Sequence, residues 1–285
     1  MVETGFVESY DKTKIYYSFQ NNKDSTVLVF SYGVTCGMYH LKYQDAYFKK
    51  AYSILQYDYR GHNNSGLPSN LENLGVEGCA HDLKAVLDKL GIKKAILVGH
   101  SMGVAVNLKF YELFPEMVSG MVFMCGGITN PFDIMFYTDS TKVIFEFLKM
   151  AYLKFPDESE KLWRNVPTSL AHNFISFVGH NRMLAQKNDI RIYVEGIKNH
   201  PLKMILHFLQ DYSKFNGEEI CKKIICPVLI IGGQYDLITP LKHIHHIHKL
   251  VKTSELFIVP QGSHVSQWDM PEVINLRIEK FLKTI

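Results

Sequence analysis

The chain has 285 residues, 47% of them hydrophobic and 21% charged, with a net charge of +3. That is long enough for one large domain, or a core domain with an insertion, and apolar enough to bury a core without covalent staples. The lysines are scattered rather than blocked, which argues against a nucleic-acid stripe, and no apolar run approaches the roughly 20 residues of a membrane helix. Five irregularly spaced cysteines (Cys36, Cys79, Cys125, Cys221 and Cys226) do not make a disulfide framework. The opening MVETGFVESYD is acidic and lacks an apolar core, so no signal peptide is expected there, and a reduced, cytoplasmic protein is the expectation.

In chain order, GFVES and KIYYSFQ read as two short strands, with Asp11 and Lys12 in the turn between them. TVLVFS (26–31) and SILQYD (53–58) are continuous apolar runs of the kind buried on both faces of a sheet. VEGCAHDLKAVLDKLG (76–91) sets Leu83, Val86, Leu87 and Leu90 at helical spacing and ends in Gly91. KAILVG (94–99) predicts a strand, MGVAVNLKFYELF (102–114) a helix closed by Pro115, and VSGMVFMC (118–125) another strand. The rhythm returns late, with strand CPVLIIGG (226–233), helix LKHIHHIHKL (241–250), strand SELFIVP (254–260) and helix MPEVINLRIEKFLKT (270–284). Alternating strands and helices, with apolar strands, build a parallel sheet covered on both sides.

Residues 128 to about 217 break the alternation. They hold no clear buried strand and are rich in aromatics, among them Phe132, Phe136, Tyr137, Phe145, Phe147, Tyr152, Phe155, Trp163, Phe174 and Phe177. This stretch reads as a helical insertion in an α/β core, with no repeat or low-complexity tract.

GHSMG (99–103) lies between a predicted strand and a predicted helix. A sharp turn there would strain Ser101 and lift its hydroxyl clear of the backbone, and side chains at Gly99 and Gly103 would strike the neighbouring elements. The following helix would point its positive end at developing negative charge. The competing reading is a helix-capping serine. A serine nucleophile needs a base. Of 13 histidines, His264 in VPQGSHVSQWD lies after the last strand, where the active site of a parallel sheet gathers. Asp236, in IIGGQYDLITP, follows a buried strand at the same edge and suits the role of the acid that orients the base, although aspartate is also common in turns. The order Ser101, Asp236, His264 is that of one hydrolase fold, distinct from the chymotrypsin and subtilisin orders.

On these residues the chain resembles a serine hydrolase of the α/β-hydrolase superfamily over nearly its whole length. DYRGHNNSG (58–66) is similar to the family's D-x-R-G-x-G-x-S loop, with Asn63 in a glycine's place and Asp58 and Arg60 read as structural. The resemblance implies an eight-stranded, mostly parallel sheet with helices on both faces. It divides the chain into a core of residues 1–127 and 218–285 and a helical cap of residues 128–217. It also implies an elbow of Gly99, His100 and Gly103 around Ser101, and an oxyanion hole made by the N–H groups of Val34 and Met102. In the loop SYGVTCG (31–37) that carries Val34, Gly33 is kept and Tyr32 replaces the family's histidine. No metal or organic cofactor is implied.

HIHHIH (243–248) pairs His243 with His246 and His245 with His248 along a helix, and reads as a solvated face rather than a metal site. Cys221 and Cys226 are too far apart for a C-x-x-C motif, and Cys36 near the oxyanion loop has no evident base. The aromatics of residues 128–217 either form a core of their own or line an acyl or alcohol pocket. The leading expectation is a carboxylesterase or lipase-like enzyme acting on small-molecule esters with an apolar group. Alternatives are a C–C bond hydrolase, an amidase or aminopeptidase, for which Asp139, Glu146 or Glu195 would hold the substrate amine, and a slow-turnover ligand receptor.

Overall fold

A computed structural model describes residues 2–23, 25–138 and 140–285, so Asp139 lies outside the described residues. Eight strands form one sheet in the order β1-β2-β4-β3-β5-β6-β7-β8. They are β1 (Val2–Glu8), β2 (Lys14–Gln20), β3 (Val27–Ser31), β4 (Ser53–Tyr57), β5 (Ala95–His100), β6 (Val118–Met124), β7 (Val228–Gly233) and β8 (Ser254–Val259). β1 and β2 run antiparallel, as do β2 and β4, and every later pairing is parallel. The expected mostly parallel α/β sheet is therefore present, with its antiparallel part at the N-terminal edge.

The composition of the strands explains their order. β5 and β7 are buried at every position, as their continuous apolar runs require. β1 alternates exposed and half-buried residues and forms an edge.

The helices are α1 (Lys42–Phe48), α2 (Val76–Lys89), α3 (Met102–Leu113), α4 (Ser140–Lys154), α5 (Pro156–Arg164), α6 (Thr168–Gly179), α7 (Lys187–Lys198), α8 (Leu202–Tyr212), α9 (Glu218–Lys222), α10 (Leu241–Leu250), α11 (Ser266–Asp269) and α12 (Pro271–Leu282). α2, α3 and α10 cover one face of the sheet, where Leu83, Val86, Val106, Leu108, Ile244 and Ile247 pack on Leu97, Met121 and Ile230. α1 and α12 cover the other, where Phe48, Ile274, Ile278 and Phe281 pack on Leu28, Val98 and Val122. Each such side chain contributes roughly 1.5–3 kcal/mol when fully buried. The helix expected over 270–284 is present as α12, with Pro271 in its first turn, whereas α1 and the short α11 are not expected from the sequence.

Arg60 is fully buried and carries the structural role expected of it. Its Nε and Nη2 donate to the two Asp82 carboxylate oxygens at 2.8 and 2.6 Å, and its Nη1 donates to Asp11 and to the Asn73 carbonyl, each at 2.9 Å. Every direction of the guanidinium fork is used, which is what makes a charge tolerable there.

Helices α4–α8 lie between β6 and β7. Their last member is tied to the sheet layer, since Met204, Phe208 and Tyr212 of α8 join the main core and Asp211 accepts the Val76 N–H at 2.8 Å at the start of α2. α4 instead belongs to a small separate cluster of Phe132, Phe145 and Leu206. Among the described residues, no helix is long and apolar enough to cross a membrane.

Candidate active site

Ser101 sits between the end of β5 and the start of α3 at φ 54°, ψ −123°. A non-glycine residue in that region stores roughly 1–3 kcal/mol and persists only where its surroundings fix it. They do so here. The Ser101 N–H donates to the Met124 carbonyl at 3.1 Å, and the Ser101 carbonyl accepts from the Val104 N–H at 3.0 Å. A Cβ on Gly103 would stand 2.3 Å from the Ser31 carbonyl oxygen, and one on Gly99 would stand 2.7 Å from Asn107 Nδ2. The collisions expected of both positions are real: α3 can cross β3 closely enough to form the elbow only without those side chains.

His264 Nε2 lies 3.0 Å from Ser101 Oγ, and His264 Nδ1 lies 3.0 and 3.2 Å from the two Asp236 oxygens. The three residues come from the ends of β5, β7 and β8 and meet at one edge of the sheet. Asp236 Oδ1 also accepts the N–H groups of Ile238 and Thr239, each at 2.8 Å, and Oδ2 accepts the Thr239 hydroxyl at 2.6 Å. Burial acts to raise the carboxyl pKa, but His264 and the Thr239 donors outweigh it and hold Asp236 below its usual value. An ionised Asp236 fixes the proton of His264 on Nδ1 and leaves Nε2 to accept from the serine.

Behind this row lies a second one that the sequence did not reveal. His100 Nε2 donates to the His264 backbone carbonyl at 2.8 Å, and His100 Nδ1 lies 2.9 Å from His40 Nε2. Both imidazoles are fully buried, and burial pushes His100 down to about 3 and His40 well below its ordinary value. Both are therefore neutral near pH 7. With the His100 proton on Nε2, its Nδ1 is an acceptor turned toward His40 Nε2, which also lies 2.9 Å from Gln267 Nε2. His100 thus links the turn that carries Ser101 to the loop that carries His264. On the far side, the Gly179 carbonyl at the end of α6 accepts from Ser263 Oγ at 2.8 Å and from the Val265 N–H at 3.2 Å.

The loop after β3 faces the serine. A Cβ on Gly33 would lie 3.2 Å from Ser101 Cβ and 3.5 Å from Oγ. Further along, the Thr35 N–H donates to His62 Nε2 at 3.2 Å and the Cys36 N–H to the Gly33 carbonyl at 3.3 Å. Among the described residues, no hydrogen bond uses the N–H of Val34 or of Met102, the first residue of α3. Tyr32 is a strut rather than a donor to the site. Its hydroxyl accepts the Tyr59 N–H at 2.8 Å and donates to Asp58 Oδ1 at 3.3 Å, which ties this loop to the 58–66 turn. In that turn Asn63 has φ 45°, the left-handed conformation expected where it replaces glycine.

The α10 histidines are not a uniformly solvated face. His243 is buried and accepts the Ile128 N–H at 3.2 Å, while His246 pairs with Glu218 at 2.7 Å and His248 with the Ser254 hydroxyl at 2.8 Å. Ile128 and α9 pack against that side of α10, which the sequence spacing did not predict. Among the described residues, no three His, Cys, Asp or Glu side chains converge as metal ligands. A groove of about 930 Å³ between residues 133–138 and α10 contains none of the serine, histidine and aspartate site residues.

The aromatics of residues 128–217 divide. Phe132 and Phe145 are buried and stacked 4.2 Å apart, whereas Tyr137, Phe147, Phe155, Phe174 and Phe177 are more than half exposed.

The family model of the alpha/beta hydrolase fold matches residues 36–271. Among curated proteins, epoxide hydrolase 1 of Caenorhabditis elegans is 23% identical over 282 residues, covering 95% of this chain and 68% of that protein. A 2-hydroxy-6-oxononadienedioate/2-hydroxy-6-oxononatrienedioate hydrolase of Pseudomonas sp is 25% identical over 243 residues, covering 84% of this chain and 80% of that one. Among solved structures, a thermophilic esterase from Thermogutta terrifontis superposes with a TM-score of 0.81 at 16% identity, covering 99% of this chain and 98% of the esterase.

Proposed function

The chain belongs to the alpha/beta hydrolase fold family, and on that premise we propose that it is a serine hydrolase that cleaves carboxylic esters carrying an apolar group. The observation that carries this reading is the unbroken hydrogen-bonded row Asp236–His264–Ser101, ending on a serine held at φ 54°.

In this reading Ser101 Oγ attacks the acyl carbonyl carbon while His264 Nε2 takes the serine proton. Asp236 stabilises the imidazolium that forms. The oxyanion is met by the N–H groups of Val34 and Met102, at the positive end of α3. His264 then protonates the leaving alcohol, and water deprotonated by His264 releases the acid. Helices α4–α7 act as a cap that bounds the substrate, and the five free cysteines are in keeping with a reducing compartment, the cytoplasm.

Likeness to an epoxide hydrolase does not transfer the reaction. An epoxide opened by a serine alkoxide becomes an ether, which a later attack by water at a carbonyl does not release. A carboxylate in that position would give a hydrolysable ester, but position 101 is serine. The second reading is hydrolysis of a C–C bond next to a ketone, supported by the likeness to the Pseudomonas hydrolase.

The test is an assay of wild type and Ser101→Ala on p-nitrophenyl esters of increasing acyl length, on epoxides and on a vinylogous 1,5-diketone. Ester cleavage that disappears in the variant is the expected result. Cleavage of the diketone alone establishes the second reading, and ester cleavage that survives in the variant overturns both.

A further inference from the structure

α4 is turned inside out. Val143, Phe147, Met150 and Leu153 are 70, 65, 59 and 73% exposed, although the opposite side of the helix is already packed through Phe145 and Tyr152. Together with Glu146 and Lys154 they follow the spacing 143, 146/147, 150, 153/154. This alternation of three and four residues is the stripe by which one helix packs along another. Side chains of this size and exposure present on the order of 400 Å² of apolar surface, within the range of the largest patch on an ordinary monomer.

The charges on the stripe select its occupant. Glu146 and Lys154 are of opposite sign and stand four residues to either side of Met150. If a second α4 lies antiparallel, centred on Met150, Glu146 faces Lys154 of the partner subunit and Phe147 faces Leu153 of the partner subunit. Met150 then meets its own copy on the axis. A parallel pair would set glutamate on glutamate and lysine on lysine. We propose that α4 is a self-association surface that pairs antiparallel with α4 of a second copy about a two-fold axis through Met150.

The interaction is isologous, so each favourable pair occurs twice. Glu146 already accepts from Lys149 of its own helix at 2.7 Å, and a carboxylate has lone pairs left for a second donor. The apolar face is smaller than the roughly 800 Å² per partner of a standard interface, so the dimer is concentration-dependent rather than permanent. A lipid surface fits less well. It makes no use of the two symmetric charges, and Asp157 and Glu158 at the start of α5 would be repelled by anionic headgroups.

Sedimentation of the full chain over a concentration series tests this, with thermal melts to show that each variant is folded. The expected mass rises from 32.8 kDa toward twice that value. Glu146→Lys and Lys154→Glu, which set like charges against each other, each weaken association about tenfold, and the double swap restores it to within a few-fold. Met150→Cys forms an intermolecular disulfide under mild oxidation. A wild type that stays monomeric at every concentration overturns the proposal, as does a double swap that fails to restore association. A monomer that co-sediments with phosphatidylcholine vesicles also overturns it and assigns the stripe to a lipid surface.

Discussion

The elbow around Ser101 and the helix α4 are both rich in apolar residues, and the fold treats them in opposite ways. At the elbow, Met102, Val104, Ala105 and Val106 are fully buried, and the backbone is held at an unfavourable φ by hydrogen bonds to β6 and α3 and by the close approach of β3. In α4 only Phe145 is buried, and the apolar stripe faces outward. A site that must hold a reacting geometry to within a fraction of an ångström is placed where packing is densest and most over-determined. The helices between β6 and β7 carry no such constraint, and their surface is free to serve recognition.

The largest expected effect lies at the elbow. Ser101→Ala lowers kcat by about 10⁴-fold or more, measured on the best ester of the panel. Ser101→Gly does the same but raises the melting temperature, because only glycine adopts φ 54° without strain. A stability unchanged in the glycine variant would mean that the elbow stores no strain, and the contrast with α4 would weaken.

Acid sharpens the comparison next. Burial holds His62 and His100 at about 3 and His180 and His243 at about 4 in the folded chain, whereas in the unfolded chain they take protons near 6.5. Between those limits the unfolded state binds more protons, so stability is full above about pH 6.5 and falls as the pH falls. Each such histidine contributes up to about 1.4 kcal/mol per pH unit. Asp236, held below its usual value, adds its own loss only at lower pH, as the solution falls through its folded-state pKa. Chemical denaturation between pH 7 and 4 gives the slope, and His243→Gln reduces it.

Gly103→Ala places a methyl 2.3 Å from the Ser31 carbonyl and costs about 1–3 kcal/mol, read in the urea midpoint. His100→Leu removes the bond to the His264 carbonyl. If His264 is the base, as proposed, this lowers kcat about tenfold with KM little changed, because His264 is misplaced while the substrate still binds. His100→Gln, which keeps a donor, recovers most of that loss. Equal losses in the two variants would show that His100 only fills space.

What the sequence disclosed and what it hid follow from the same distinction. Buried strands are continuous apolar runs, so β3, β5, β6 and β7 were legible, and Ser101, Asp236 and His264 follow from the order of three motifs in a strand–helix rhythm. His40, Thr239 and the clamp made by His100 were not. Each acts through a side chain whose partner is decided by packing, as when His100 meets a carbonyl 164 positions away. Tyr32 reads from the sequence only as a replacement for the family's histidine, and in the fold it is a strut, because its hydroxyl reaches across to Asp58. The aromatics of residues 128–217 could be counted but not oriented, since an apolar helix with neighbours on one side reads the same as one with neighbours on both.

The smallest expected effect lies on α4 itself. Leu148 is 51% exposed, so Leu148→Gln at dilute protein changes the unfolding free energy by less than about 0.5 kcal/mol, as for an ordinary surface site. Phe145→Ala, on the buried side of the same helix, unstacks Phe132 and empties the small cluster that includes Leu206. That cluster is separate from the sheet core, so the loss is local. Amide hydrogen exchange speeds up across α4 and the start of α8 while β5 keeps its protection. Loss of protection in β5 as well would mean that the two regions unfold as one unit, and that packing around Phe145 supports the elbow at a distance.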